Sequence, residues 1–208
     1  MATNIVDSGK AFRYGWESLK KDFWYFIGIS VLYLVITNLP SSGKGNSLGI
    51  LGIFISAWLA GGLYRILLDY KDGKKPEITV LFTQFKQFWR ILLGMLLLLL
   101  IVAGGFILFI VPGIILAIKY QFTILLIIDK DMQVMDALRA SGEMTKGIKS
   151  QLFMFGLTAI GVMILGFIAL GVGVIVAMPV VWLAQVWVYR SLAAPAVPTP
   201  DVPTPIKV

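Results

Sequence analysis

The sequence predicts an all-α polytopic membrane protein. Six transmembrane helices form three hairpins, each preceded by an amphipathic interfacial helix on the cytoplasmic side. Three observations predict this. Two stretches, Ile91–Ile128 and Leu152–Val188, carry Lys119 as their only formal charge, and each is nearly twice the roughly 20 apolar residues that one spanning helix needs. The 208-residue chain is 58% apolar, above the about 45–50% of soluble domains. Of its 18 Lys and Arg, all but Lys44 and Lys119 fall on one side once the spans are drawn.

The elements follow in order. Residues 1–22 are mixed polar and aromatic, and the first apolar run starts at Phe23 with no small-residue cleavage site up to Leu39. This is not a signal peptide, and the mature chain is expected to begin near Met1. Phe12, Trp16, Leu19 and Phe23 share one helical face, and Lys10, Arg13, Glu17 and Lys20 another. Span one is expected over 23–39 and span two over 48–68, joined by the turn-rich residues 40–47. Before the second pair, Ile78, Leu81, Phe82, Phe85, Phe88 and Trp89 recur at helical spacing. Spans three and four are expected over 90–110 and 113–129, turning at Val111-Pro112-Gly113, with proline suited to the first position of a new helix. Val134, Leu138, Ser141, Thr145 and Ile148 then oppose Asp136, Arg139, Glu143 and Lys146. Spans five and six are expected over 151–169 and 173–190, turning near Gly171. Residues 193–208 repeat Val-Pro-Thr-Pro and read as a disordered, proline-rich cytoplasmic tail. The single membrane domain is residues 1–192.

The basic residues flank the even-numbered connections, so the positive-inside rule places both termini in the cytoplasm of a multi-pass cell-membrane protein. Trp16, Trp24, Trp89 and Trp187 map to the same side, where tryptophan anchors helices at the interface. The first and third amphipathic segments align at an offset of 126 residues. Ala11, Phe12, Arg13, Glu17 and Lys20 match Ala137, Leu138, Arg139, Glu143 and Lys146. Arg13–Glu17 and Arg139–Glu143 are spaced as i,i+4 pairs, each worth about 0.2–0.5 kcal/mol. The other reading of this basic and aromatic set (Arg13, Trp16, Lys20, Trp89, Arg139, Lys146) is a grip on anionic lipid headgroups, at about 1 kcal/mol per cation.

Chemistry has few carriers. With no cysteine and no histidine, the chain lacks thiolate chemistry, the commonest general base and the commonest metal ligand. No catalytic residue, cofactor or metal is expected; Asp129 and Asp131, flanking Lys130, supply too few ligands for a metal. Lys119 is the one ionisable group well inside a span. Counted from Gly113 it lies roughly 9 Å from the outer end, where it either snorkels outward or contacts a headgroup or substrate. Tyr120, Gln121 and Gln185 are its nearest polar candidates. Glycines at 61, 62, 104, 105 and 166 permit close helix packing, and Pro179 marks a kink in span six.

One stretch carries a family resemblance. Asp72-Gly73-Lys74-Lys75-Pro76, Leu81-Phe82, Phe85-Lys86-Gln87-Phe88, Val111-Pro112-Gly113-Ile114-Ile115-Leu116-Ala117, Asp129, Ala137-Leu138-Arg139 and Thr145-Lys146-Gly147 resemble the glycerophosphoryl diester phosphodiesterase membrane-domain superfamily. The resemblance extends more weakly over 23–192. It implies a six-helix membrane module without assigned activity. In the fused members a separate soluble barrel hydrolyses the diester, and this chain has no room for it. The expected function is thus a non-enzymatic protein that organises or senses the cytoplasmic leaflet, with membrane lipids as partners and no nucleic acid. A transporter or channel for a small or lipid-like molecule is the alternative.

Overall fold

The computed structural model describes residues 6–38, 46–74, 79–83, 87–169 and 173–196. Its elements are all helical: α1 (Ser8–Lys21), α2 (Phe23–Asn38), α3 (Asn46–Lys71), α4 (Val80–Thr83), α5 (Phe88–Leu108), α6 (Ile110–Tyr120), α7 (Thr123–Lys130), α8 (Val134–Met144), α9 (Lys149–Ile168) and α10 (Gly173–Ala196). No strand occurs among the described residues. Among the described residues, four helical stretches are long and apolar enough to cross a membrane: Phe88–Leu108, Ile110–Lys130, Lys149–Ile168 and Gly173–Ala193. Residues 39–45, 75–78, 84–86, 170–172 and 197–208, on which the expected first connection, most of the second amphipathic segment, the third turn and most of the expected tail fall, lie outside the described residues.

Three boundaries differ from the sequence reading. The chain turns at Phe109, whose extended backbone (φ −164°, ψ 155°) separates α5 from α6, so Val111-Pro112-Gly113 already belongs to the first turn of α6. Proline is tolerated there because the first helical N–H groups have no intrahelical acceptor. The fourth apolar run is two helices, broken at Gln121 and Phe122. And α10 passes through Pro179 as one element and extends to Ala196, so the first residues assigned to the tail are helical.

Close approach at glycine brings the apolar helices together. A Cβ on Gly105 would stand 2.9 Å from Gly113 Cα, and one on Gly166 would stand 2.8 Å from the Gly173 carbonyl oxygen. Gly94 faces Ile124 and Ile127 further along, so α6 and α7 run back along α5. Gly104, grouped with these in the sequence reading, faces open space.

Burial is uneven along the molecule. Only 17% of the most apolar stretch of α5, and the same share of α9, is buried, against 44% of α10. Ile107 and Phe167 are 88% and 71% exposed. The buried core gathers instead where the charges are. There Ile66, Leu67 and Leu68 of α3, Leu125, Leu126 and Ile127 of α7, and Leu183, Ala184 and Val188 of α10 are nearly or fully inaccessible.

The first amphipathic helix is rotated from its expected face. Ala11, Gly15, Ser18 and Leu19 are its buried residues, because Gly15 lets α1 approach the α10 backbone: a Cβ there would lie 2.5 Å from the Val180 carbonyl oxygen. Phe12 is carried to the edge of the contact, where it stacks on Phe155 at 5.3 Å. Trp16 remains 46% exposed.

Candidate functional site

The site begins at the break between α6 and α7. Breaking a helix frees a carbonyl and an N–H that must find new partners. Ser141 of α8 takes both: its Oγ donates to the Lys119 carbonyl at 2.9 Å and accepts the Phe122 N–H at 3.3 Å. Thr145 Oγ1 donates to the Ser141 carbonyl at 3.0 Å and lies 3.3 Å from the same Lys119 carbonyl. Ser141 and Thr145 are fully buried. They belong to the face read from the sequence as an apolar stripe, and the polar residues in that stripe were the signal that α8 docks on a broken helix.

This docking places the Lys119 side chain against α8. A Cβ on Gly142 would come within 3.0 Å of Lys119 Cε, so glycine there makes room for the lysine stem. The ammonium lies 4.9 Å from the Tyr120 ring centroid, in range of a cation–π attraction. Around it opens a cavity of about 520 Å³. Among its described lining residues the polar wall carries Lys119, Arg139, Lys146 and Lys149 with Glu143 as the one carboxylate, and Leu97, Ile101 and Leu138 form its apolar side. Glu143 pairs with Lys146 at 3.7 Å, both side chains well exposed, and not with Arg139 as the spacing suggested. Among the described lining residues four cations stand against one carboxylate, which leaves the cavity wall with a net positive charge.

Of the four residues grouped by sequence, Lys119 and Tyr120 line this cavity, Gln121 lines a different one, and Gln185 lies elsewhere. The Gln185 amide oxygen accepts from Tyr64 Oη at 3.2 Å, between α10 and α3. Because α6 starts at Ile110, Lys119 is nine residues into the helix, roughly 14 Å from the turn. Its ammonium meets α8 rather than the helix tip. The other basic and aromatic candidates are dispersed. Arg13 pairs with Glu17 at 3.2 Å on the exposed face of α1, and Lys20 lies 5.2 Å over Trp16. Trp89, 63% exposed, meets Phe54 of α3 edge-on.

A second cluster escaped sequence reasoning. Arg190 of α10 bridges Asp129 at 2.7 Å and Asp72 at 2.6 Å, and Tyr189 Oη donates to Asp129 at 2.7 Å. Arg90 similarly holds Asp131 at 2.7 Å. Asp129 is thus committed to ion pairs. Among the described residues no group of three or more acidic, histidine or cysteine side chains could hold a metal.

Ionisation outside the spans follows local contacts. The backbone N–H of Lys10 holds the exposed Asp7 carboxyl below its ordinary value, as expected of an N-cap. Burial pushes the Tyr14 hydroxyl up and the Lys71 ammonium down, and that ammonium lies 4.1 Å over the Tyr14 ring.

These features define a helical protein with a large exposed apolar surface and a cavity lined by basic residues. Comparison with known proteins adds kinship without activity. Residues 98–196, which contain every cation of the cavity, match a protein family described only as of unknown function (DUF975). An uncharacterized protein of Mycobacterium bovis is 28% identical over 117 residues, covering 56% of this chain and 36% of its own length. Two uncharacterized proteins of Mycobacterium tuberculosis strains are 28% and 27% identical over the same length, with the same coverage. The chain therefore spans about a third of the length of the curated relatives it matches. No solved structure matches.

Proposed function

We propose that this chain is a non-enzymatic integral membrane protein that engages the cytoplasmic leaflet, seating an anionic lipid headgroup in the Lys119 cavity. Under this reading α2, α3, α5, α6 with α7, α9 and α10 are six spans in three hairpins, both termini are cytoplasmic, and α1 and α8 lie at the interface. Exposed apolar side chains on α5 and α9 suit lipid, since soluble surfaces rarely carry apolar patches of this extent. Resemblance to the glycerophosphoryl diester phosphodiesterase membrane domains fits a module that works beside lipids. One observation carries the proposal: four cations surround a cavity whose other side, Leu97 and Ile101, continues the apolar surface of α5. A headgroup and the start of its chains need that combination, and each cation near an anionic surface contributes about 1 kcal/mol.

Native mass spectrometry of the protein with its co-purifying lipids tests this. Lys119→Met keeps the apolar stem and removes the cost of a membrane-embedded charge. It should lower retention of anionic lipids several-fold while leaving the melting temperature equal or higher. Identical lipid profiles would leave Lys119 without a ligand role.

A second reading, a transporter or channel for a small or lipid-like molecule, is favoured by the break between α6 and α7, because discontinuous spans mark transporter binding sites. Against it, Ser141 already occupies the carbonyl that the break frees. Uptake of solute by proteoliposomes, lost in Lys119→Met, would favour this second reading.

A further inference from the structure

The basic cavity holds more positive charge than the chain around it answers. Among the described residues, Lys119, Arg139 and Lys149 enter no ion pair. Glu143, the one carboxylate among the described lining residues, is engaged by Lys146 at 3.7 Å. The three uncompensated cations come from three elements: Lys119 near the end of α6, Arg139 within α8 and Lys149 at the start of α9. The Lys119 stem is confined between the Gly142 backbone and the Tyr120 ring. No serine, threonine, asparagine or glutamine stands among the described lining residues, and Tyr120 is the one neutral polar side chain there. Such a wall meets negative charge and has little with which to read the hydroxyls of a glycerol or sugar headgroup.

We propose that this cavity selects a lipid phosphomonoester, a phosphate bonded to the glycerol and to nothing else, over the phosphodiester headgroups of other glycerophospholipids. This rests on the anionic-headgroup reading above and narrows it. A phosphomonoester presents three terminal oxygens and about 1.5 to 2 negative charges near neutral pH. Esterification by a further headgroup removes one of those oxygens and leaves a single charge. Three uncompensated cations from three helices match the monoester and leave one cation unanswered by the diester. Lysine and arginine donate strong charge-assisted hydrogen bonds to phosphate, and the planar fork of Arg139 can take two oxygens at once. The apolar side of the cavity makes the source a lipid. Leu97 and Ile101 line it, and the exposed Leu96 and Leu100 beside them on α5 continue that surface for the acyl chains.

Native mass spectrometry of the full chain in neutral detergent, with three dioleoyl probes, tests this: phosphatidic acid, phosphatidylmethanol and phosphatidylcholine. The first two differ by one methyl group, which turns the monoester into a diester. Wild type should retain phosphatidic acid roughly ten-fold over phosphatidylmethanol, the ratio expected of one additional hydrogen bond to a charged group. Arg139→Gln combined with Lys149→Gln, both at exposed positions, should bring that ratio close to one with the melting temperature unchanged. Equal retention of phosphatidic acid and phosphatidylmethanol by wild type overturns the proposal without any variant needing to fold. If those two are equal and both exceed phosphatidylcholine, the anionic-headgroup reading stands alone; if all three are equal, it falls as well. A preference that survives intact in the double variant overturns the assignment to these cations. Displacement of bound phosphatidic acid by an equal concentration of glycerol 3-phosphate overturns the lipid source.

Discussion

At the residue scale, the strongest contacts are those that leave a buried group stranded when broken. Asp129 has a side chain only 8% exposed, against 22% for Arg190. Arg190→Met should cost about 3 kcal/mol or more, because an uncompensated buried carboxylate remains. Adding Asp129→Asn should recover much of that loss. Chemical denaturation of the single and double variants in detergent checks the cycle, and additive losses would mean that the pair carries no coupling. Ser141→Ala should cost about 1–3 kcal/mol, since Phe122 loses the acceptor of its buried N–H; a melting curve identical to wild type would place water at that amide. Lys119 was legible as the unusual residue, because charge inside an apolar run is visible in one dimension. Its partners were not. Arg139, Lys146 and Lys149 line the same cavity as Lys119 because α8 docks on the break, and nothing in the apolar run between Gly113 and Asp129 announces a break. Gln185 shows the same limit: a polar residue in a neighbouring span was assigned by proximity, and Tyr64 had the better geometry.

At the element scale, glycine decides which helices approach. Gly104 and Gly105 are adjacent and make a paired test. Gly104→Ala should be neutral or stabilise by about 0.5–1 kcal/mol, because alanine is the better helix former and the position is open. Gly105→Ala should destabilise by about 1–3 kcal/mol, because its Cβ would press on Gly113. If both variants melt alike, the contact between α5 and α6 is not the one described. The cap of α1 gives a pH dependence. Asp7 has a folded value lowered from 3.8. Its contribution is therefore complete above 3.8 and lost as the pH falls through the lower folded value. Asp7→Asn caps without titrating, so wild type should lose melting temperature relative to that variant only below about pH 4; parallel curves would rule out the cap. Sequence periodicity located both α1 and α8 and oriented α8 better than α1. For α8 the expected face holds, with Leu138, Ser141 and Thr145 buried. For α1 the face was read from Phe12, Trp16, Leu19 and Phe23, whereas the packed face is set by Ala11, Gly15, Ser18 and Leu19, mostly small residues that score weakly as hydrophobic and pack most closely.

At the scale of the whole molecule, charge and apolar length were the readable quantities. All-helical character, the long apolar helices and the gathering of charge at one end all follow from runs and counts, which need no tertiary knowledge. The fourth run was the exception, since its apolar composition is the same whether it forms one helix or two. The proposed function requires the basic cavity to face the cytoplasmic leaflet. The chain has no cysteine, so single cysteines can be introduced without background. Ser141 is buried and cannot report, whereas Glu143 beside it is exposed. Ser47→Cys and Glu143→Cys should respond oppositely to a membrane-impermeant thiol reagent: the first labels in intact cells, the second only after lysis. Labelling of Glu143→Cys in intact cells would put the cavity on the outer face and contradict the account.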